Sequence, residues 1–291
     1  MKISSILNSP SQKRIFLFTS LFVLAVSIIG IFLIATLVPS TPLWGTFSNL
    51  LTSVVASGAF ALMSALFLTY FFVDPDDIAK KSAVLPQDIE KALVQIASSA
   101  NEYTIFARTG RHFRAEILPI LVRRARSSRR KMRIRAVLLD LRDVSICTRY
   151  ANFRRNSSFD KYLWSAEYVR TEVLSTVLAL IQASQENPDL IEIELFLSAR
   201  LSTFRIEGTA DELLVTREDP KDHAMRYRKA DRDYSAFSTE LDWICAEAFR
   251  VRNQEDGTFP SGITSIFDDG QITALEPVAK SNLSNASPYA R

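Results

Sequence analysis

Residues 15–73 include no Asp, Glu, Lys, Arg or His. A run of this length must either be buried deeply or lie in hydrocarbon. It divides into residues 15–38 and 50–73, two stretches of 24 uncharged residues. Each exceeds the roughly 20 residues a helix needs to cross a hydrocarbon core of about 30 Å. Between them, Pro39-Ser-Thr-Pro-Leu-Trp-Gly45 supplies two prolines and a glycine for a turn. Trp44 falls at headgroup level on one side, with Tyr70 and Phe72 on the other. A secretory signal would have an apolar region of about 7–15 residues and a small-residue cleavage site, and neither condition is met. The expectation is a transmembrane hairpin over 15–73.

Orientation follows from the flanking cations. Lys2, Lys13 and Arg14 precede the first span, the turn has none, and Lys80 and Lys81 follow the second. Asp74, Asp76 and Asp77 count for little in this rule. The expected location is the inner membrane, crossed twice, with both termini cytoplasmic. No ionisable residue lies within either span, which argues against a transporter.

The second span carries Ser53, Ser57, Ala61 and Ala65 at i+4 spacing. Small residues let another helix approach closely. The simpler reading packs this stripe on the first helix of the hairpin. The other makes it a self-association face, and hence a homo-oligomer contact, or part of a pore.

The net charge of +3 does not describe a basic domain. Beyond the three cations that precede Asp74, 32 basic residues face all 32 acidic ones. A nucleic-acid partner is therefore disfavoured. Cys147 and Cys245 lie far apart without CxxC spacing, and the chain has two histidines. No metal site and no cofactor is expected, and a reducing compartment suits two unpaired thiols.

The remaining organisation reads as a cytosolic tail over 1–14, a linker helix within 74–100, an α/β domain over 101–252 and a poorly ordered tail over 253–291. Ile89, Leu93 and Ile96 recur at helical spacing in the linker. Thr104-Ile-Phe-Ala107 is a buried strand, followed by a helix to about Ser127 that Pro119 bends. A second, parallel strand covers 134–139. An arginine-rich connection leads to a long helix over 160–183 and a third strand at 191–197. Short strands at 204–206 and 213–216 flank Gly208, and a last helix covers 235–250 and buries Leu241, Ile244 and Cys245. Gly, Ser, Asn, Pro and Asp dominate after Asn253.

Residues 108–135 are the strongest local anomaly, with eleven cations against Glu116 alone. Residues 123–135 read as a solvated or lipid-facing patch. Arg108-Thr-Gly-Arg111 leaves the carboxyl end of a strand and opens a helix, where unpaired N–H groups and the dipole attract anions. Gly110 permits a tight backbone, and two guanidinium groups can grip a phosphate. Asp140 and Arg142 end the neighbouring strand at the same rim, followed by Arg149, Arg154 and Arg155. Candidate ligand-binding residues are Arg108, Gly110, Arg111, Arg142, Arg149, Arg154 and Arg205. The alternative is that these arginines pair with the acidic segment 207–222. His112 and His223, each isolated, read as surface histidines. No catalytic set stands out.

From Tyr103 to Arg250 the chain resembles a half-domain of the phospholipase D superfamily. The resemblance rests on the strand–Arg108-Thr-Gly-Arg111–helix opening, Val137-Leu-Leu-Asp140, Phe204-Arg-Ile-Glu-Gly-Thr-Ala-Asp211 and the closing helix. It implies a mixed-sheet α/β domain, which here would follow the transmembrane hairpin on the cytosolic side. That family's signature is His-x-Lys-x4-Asp. Aligned on Asp211, Phe204 stands for the histidine and Ile206 for the lysine, so the resemblance implies a fold and argues against its usual chemistry.

The leading expectation is a membrane-anchored binding or sensing module for an anionic small molecule or a protein partner, beside membrane lipid. By architecture it would suit a bacterial stress or phage-defence effector. The alternatives are a phosphodiesterase or nuclease with non-standard residues, and a pore-forming effector.

Overall fold

The computed structural model describes residues 10–37, 41–71, 82–157, 162–218 and 222–284. It divides into two compact units, Met1–Lys80 and Lys81–Arg291.

The first unit holds α1 (Pro10–Leu37) and α2 (Pro42–Phe71), packed on each other. Both contain segments long and apolar enough to cross a membrane. They expose large apolar side chains such as Phe18, Phe22, Phe32 and Phe60. The turn is shorter than expected. Pro42 sits in the first turn of α2, where its missing N–H costs nothing, so Trp44 and Gly45 are helical. The contact between the helices corrects the simpler reading of the stripe. Gly30 admits Leu51 and Gly58 admits Leu24, whereas Ser53, Ser57 and Ala61 are exposed. The N-terminal tail, Pro39 and Ser40, residues 72–81, and the side chains of Lys13, Arg14, Ala65 and Tyr70 lie outside the described residues.

The second unit is built on one eight-stranded mixed sheet in the order β1-β7-β6-β5-β2-β3-β4-β8. Its centre is parallel: β2 (Glu102–Phe106), β3 (Met132–Leu139) and β4 (Ile191–Ser198). The flanks are antiparallel. On one side lie β5 (Phe204–Gly208), β6 (Glu212–Arg217), β7 (Ala224–Arg228) and β1 (Ala83–Val84). On the other lies β8 (Phe249–Arg250).

Alternation along the strands sends side chains to two unequal cores. Tyr103, Ile105, Ile134, Ala136, Leu138, Ile193 and Leu195 enter the larger, together with the central helices. Phe106, Val137, Phe196 and Ile206 enter the smaller, with Leu241 and Ile244 from α7 (Arg232–Glu247).

Several expectations change. The expected linker belongs to the domain: β1 extends the sheet edge, and α3 (Ile89–Ser99) buries Leu93, Ile96 and Ala97 in the larger core. The expected bend at Pro119 is a π-helical turn, Phe113–Ile117, leading into α4 (Leu118–Ser128). Proline removes a helical donor, and the wider turn absorbs the break.

The arginine-rich connection folds as a helix, α5 (Val144–Ser157), with Ile146, Cys147, Tyr150 and Ala151 on its buried side. The carboxylate of Asp143 accepts from the Ser145 and Ile146 amides at its start. The long helix α6 (Ala166–Glu186) begins later than expected, where the Ser165 hydroxyl accepts from the Tyr168 amide.

Residues 253–284 are not loose. They lay Phe259, Ile263 and Phe267 into the larger core, followed by Ile272 from α8 (Gly270–Thr273) and Ala279 from α9 (Glu276–Ser281). The patch over 123–135 is not wholly solvated either. Parallel register places Arg133 opposite Glu192 and Arg135 opposite Glu194, and both pairs form salt bridges.

Candidate functional site

The carboxyl ends of β2 and β3 meet the amino end of the helix that begins at Arg111, and the chain turns between them at Gly110, where φ is +68°. A side chain there would be excluded twice over. The backbone conformation disfavours it, and a Cβ would stand 2.9 Å from Thr176 Cγ2 and 3.1 Å from Leu138 Cδ2. The loop is pinned on both sides. Thr176 donates its hydroxyl to the Thr109 carbonyl at 2.7 Å, and the Leu139 amide donates to the Arg108 carbonyl at 3.0 Å.

This fixed loop walls a cavity of about 80 Å³. Arg108, Arg111, Arg154 and Arg205 all line it, with Glu172 and Glu218 as its carboxylates. Leu163 and Trp164 form an apolar side, with Tyr150 and Tyr168 edge-on to Trp164 at 5.8 and 5.3 Å. Arg154 stacks over Trp164, its guanidinium carbon 4.6 Å from the ring centre.

Arg108 is the most constrained of these cations, at 2% exposed. Its Nη1 donates to the Phe204 carbonyl and pairs with Glu218 Oε1 at 3.2 Å. Its Nε and Nη2 are buried without a hydrogen-bond partner. Burial pulls its pKa below the usual arginine value, and Glu218 acts in the opposite direction. A buried guanidinium with two unused donors is costly unless an acceptor meets them. Trp164 Nε1 is a further buried donor without a partner in the same wall.

Glu218 gathers the cations. Its carboxylate also meets Arg154 Nη1 at 3.4 Å and accepts from the Tyr150 hydroxyl at 2.9 Å. Arg111 donates to the Tyr168 hydroxyl at 3.2 Å. Arg205 pairs with buried Glu207, which also accepts from Tyr103. Behind Glu172 stands Arg114, bonded to it at 3.0 Å and reaching the Asn282 carbonyl at 3.2 Å.

His112 is not on the surface. It is buried at the cavity wall, where desolvation, and then Arg205, press its pKa down from 6.5 to about 4. It is therefore neutral at pH 7. His223 is exposed.

Of the expected site residues, Arg108, Gly110, Arg111, Arg154 and Arg205 come together here. Arg142 and Arg149 do not. Arg142 turns onto its own loop, bonded to Asp140 and stacked 3.8 Å from the centre of the Phe249 ring, and Arg149 is exposed on α5. The alternative reading holds for three of them, since Arg108, Arg154 and Arg205 pair with Glu218 and Glu207. Residues missed from sequence are Tyr150, Trp164 and Tyr168. The spacing of Ile146, Tyr150 and Arg154 at i+4 was the available signal for α5.

The positions aligned with the phospholipase D signature do not assemble at the cavity. Ile206 is buried in the smaller core. Asp211 lies in the turn after β5, at the other end of the strand from Phe204. No known protein family's sequence profile matches this chain, and no curated protein sequence matches it significantly.

Proposed function

We propose that this protein is held in the inner membrane by α1 and α2, both termini cytoplasmic, and uses its α/β unit as a binding or sensing module for a phosphate-like anion. The observation that carries this reading is Arg108, a buried guanidinium with two unused donors in a cavity that three further arginines line. Charge-assisted bonds to such donors are among the strong ones. The domain is read as a degenerate phospholipase D-like half-domain, with apolar residues where a nucleophile and a phosphate clamp would stand. Apolar helices with exposed Phe and Leu side chains support the anchor. Exposure of Ser53, Ser57 and Ala61 supports self-association through α2.

The test is calorimetric titration of the full chain in detergent with inorganic phosphate. Arg108→Ala should weaken binding by at least about tenfold. Arg130→Ala, exposed just beyond the end of α4, should leave it unchanged. Equal losses in both variants would reduce the site to general electrostatics.

His112 favours a second reading, a phosphodiesterase with non-standard residues. A neutral imidazole in an arginine-lined cavity can take a proton or attack phosphorus. Turnover of bis(p-nitrophenyl) phosphate that disappears in His112→Gln would establish it. Binding without turnover would leave the module reading in place.

A further inference from the structure

One buried network of hydrogen bonds joins the wall of the cavity to residues near the C-terminus. Its centre is Arg114, in the π-helical turn that follows Arg111 and His112. There the Leu118 amide donates to the Phe113 carbonyl, five residues back. The wider turn lets His112, Phe113 and Arg114 all be buried, where a 3.6-residue repeat would spread three consecutive side chains around the helix. The Arg114 side chain is 2% exposed and pairs at 3.0 Å with Glu172, which is 1% exposed and lines the cavity.

Asn282 holds both members of this pair. Its carbonyl accepts from Arg114 Nη2 at 3.2 Å, and its Nδ2 donates to Glu172 Oε1 at 3.4 Å. Toward the cavity, Arg114 Nη1 donates to Thr176 Oγ1 at 3.2 Å, and that hydroxyl donates to the Thr109 carbonyl. Thr109 stands between Arg108 and Gly110 in the fixed loop. The path from Asn282 to the arginine loop is therefore unbroken. Residues 276–284, in contrast, are lightly anchored. α9 is six residues long, too short to be stable by itself, and Ala279 is the residue it buries. Val278 is 54% exposed, and Leu283 is half-buried. Segments with so little buried apolar surface open at low free-energy cost. When this one opens, Arg114 and Glu172 each lose a bond that a buried ion pair needs.

We infer that residues 276–284 are a clasp coupled to the cavity, docking more firmly when an anion is bound and loosening when it leaves. This rests on the anion-binding reading of the cavity. An anion held by Arg108 fixes the loop, and with it the Thr109 carbonyl to which Thr176 is bonded. It also repels the Glu172 carboxylate toward Arg114. Both effects tighten the pair that Asn282 holds. Linkage makes the coupling reciprocal, so a loosened clasp weakens anion binding by the same factor.

Hydrogen exchange read by mass spectrometry tests this on the full chain in detergent, with and without saturating inorganic phosphate. Amides of residues 276–284 should exchange at least about threefold more slowly with phosphate present. Asn282→Ala keeps the carbonyl and removes the bond to Glu172. Its phosphate affinity, measured by calorimetry, should fall at least about fivefold, although Asn282 does not line the cavity. Thr176→Val keeps a methyl group beside Gly110 and removes the hydroxyl. Phosphate should then no longer slow exchange at 276–284, and slowing that persists would overturn the path through Thr176. Phosphate binding that leaves exchange of the parent unchanged would overturn the clasp and leave the anion site standing. Parental affinity in Asn282→Ala would do the same. Absence of phosphate binding to the parent would overturn the anion reading as well.

Discussion

The guanidinium of Arg108 and the carboxylate of Glu218 meet at 3.2 Å, with side chains 1% and 10% exposed. One leaves the end of β2 and the other the end of β6, so the pair ties the parallel centre of the sheet to its antiparallel flank at one rim. Glu218 acts there as a built-in counter-ion for the buried guanidinium. A buried pair of this kind contributes little net stability, but loss of one partner strands the other.

Glu218→Gln should therefore do two things. It should destabilise the unliganded protein, by about 3 kcal/mol if Arg108 is left without compensation. It should also tighten inorganic phosphate binding, because a competing charge is gone. Differential scanning fluorimetry reads both, since phosphate should raise the melting temperature of the variant more than that of the parent. A phosphate shift smaller in the variant would mean that Glu218 helps to build the site and does not compete for it.

Gly110→Ala should cost about 2 kcal/mol or more in urea unfolding. The left-handed conformation alone costs an L-residue about 1–2 kcal/mol, and the new Cβ would press on Thr176 and Leu138. Phosphate affinity should fall with it, because the same turn presents Arg108 and Arg111. A neutral result would show that the loop relaxes and that its positive φ is not required.

The core of the fold was legible where pattern and burial coincide. Thr104 to Ala107, residues 134–139 and residues 191–197 alternate or run apolar, and they became the three parallel strands. Arg108 and Arg111 were legible because Gly110 marks a turn after a strand. Tyr150 and Trp164 were hidden for a different reason. Arginines on α5 and the aromatic residues before α6 look like solvated connection until the helix closes over the rim. The segment after Asn253 was misread because composition outweighed spacing. Phe259, Ile263, Phe267 and Ile272 recur every four or five residues, and a few large apolar groups suffice to hold a polar segment on a core.

Phe267→Ala tests that last point directly. Phe267 is buried in the larger core, and loss of such a ring costs about 3–5 kcal/mol. Chemical denaturation should show most of that loss. A change below about 0.5 kcal/mol, the range of surface substitutions, would restore the reading of a loose tail.

The pH dependence of stability carries the signature of His112. Its folded pKa of about 4 lies below the ordinary 6.5, so between these values the unfolded chain binds a proton that the folded chain refuses. Stability is fully present above pH 6.5 and is lost as pH falls toward 4, by up to ~3 kcal/mol. The difference between parent and His112→Gln, measured by urea unfolding across that window, should follow this slope. Parallel curves would place the imidazole in contact with water.

The topology prediction joins the two units of the chain to one compartment. Lysine and arginine flank the hairpin at both ends and are absent from its turn, so the turn should face away from the cytosol and the α/β unit toward it. Thr46 is exposed near the start of α2, and His223 is exposed before β7. In a background with Cys245→Ser, Thr46→Cys should react with a membrane-impermeant maleimide in intact cells. His223→Cys should react only after permeabilisation. Cys147 should stay silent in both, since it is buried and burial pushes its thiol up to about 12. Labelling of His223→Cys in intact cells would invert the orientation. It would also move the arginine cavity out of the compartment in which phosphorylated metabolites are abundant.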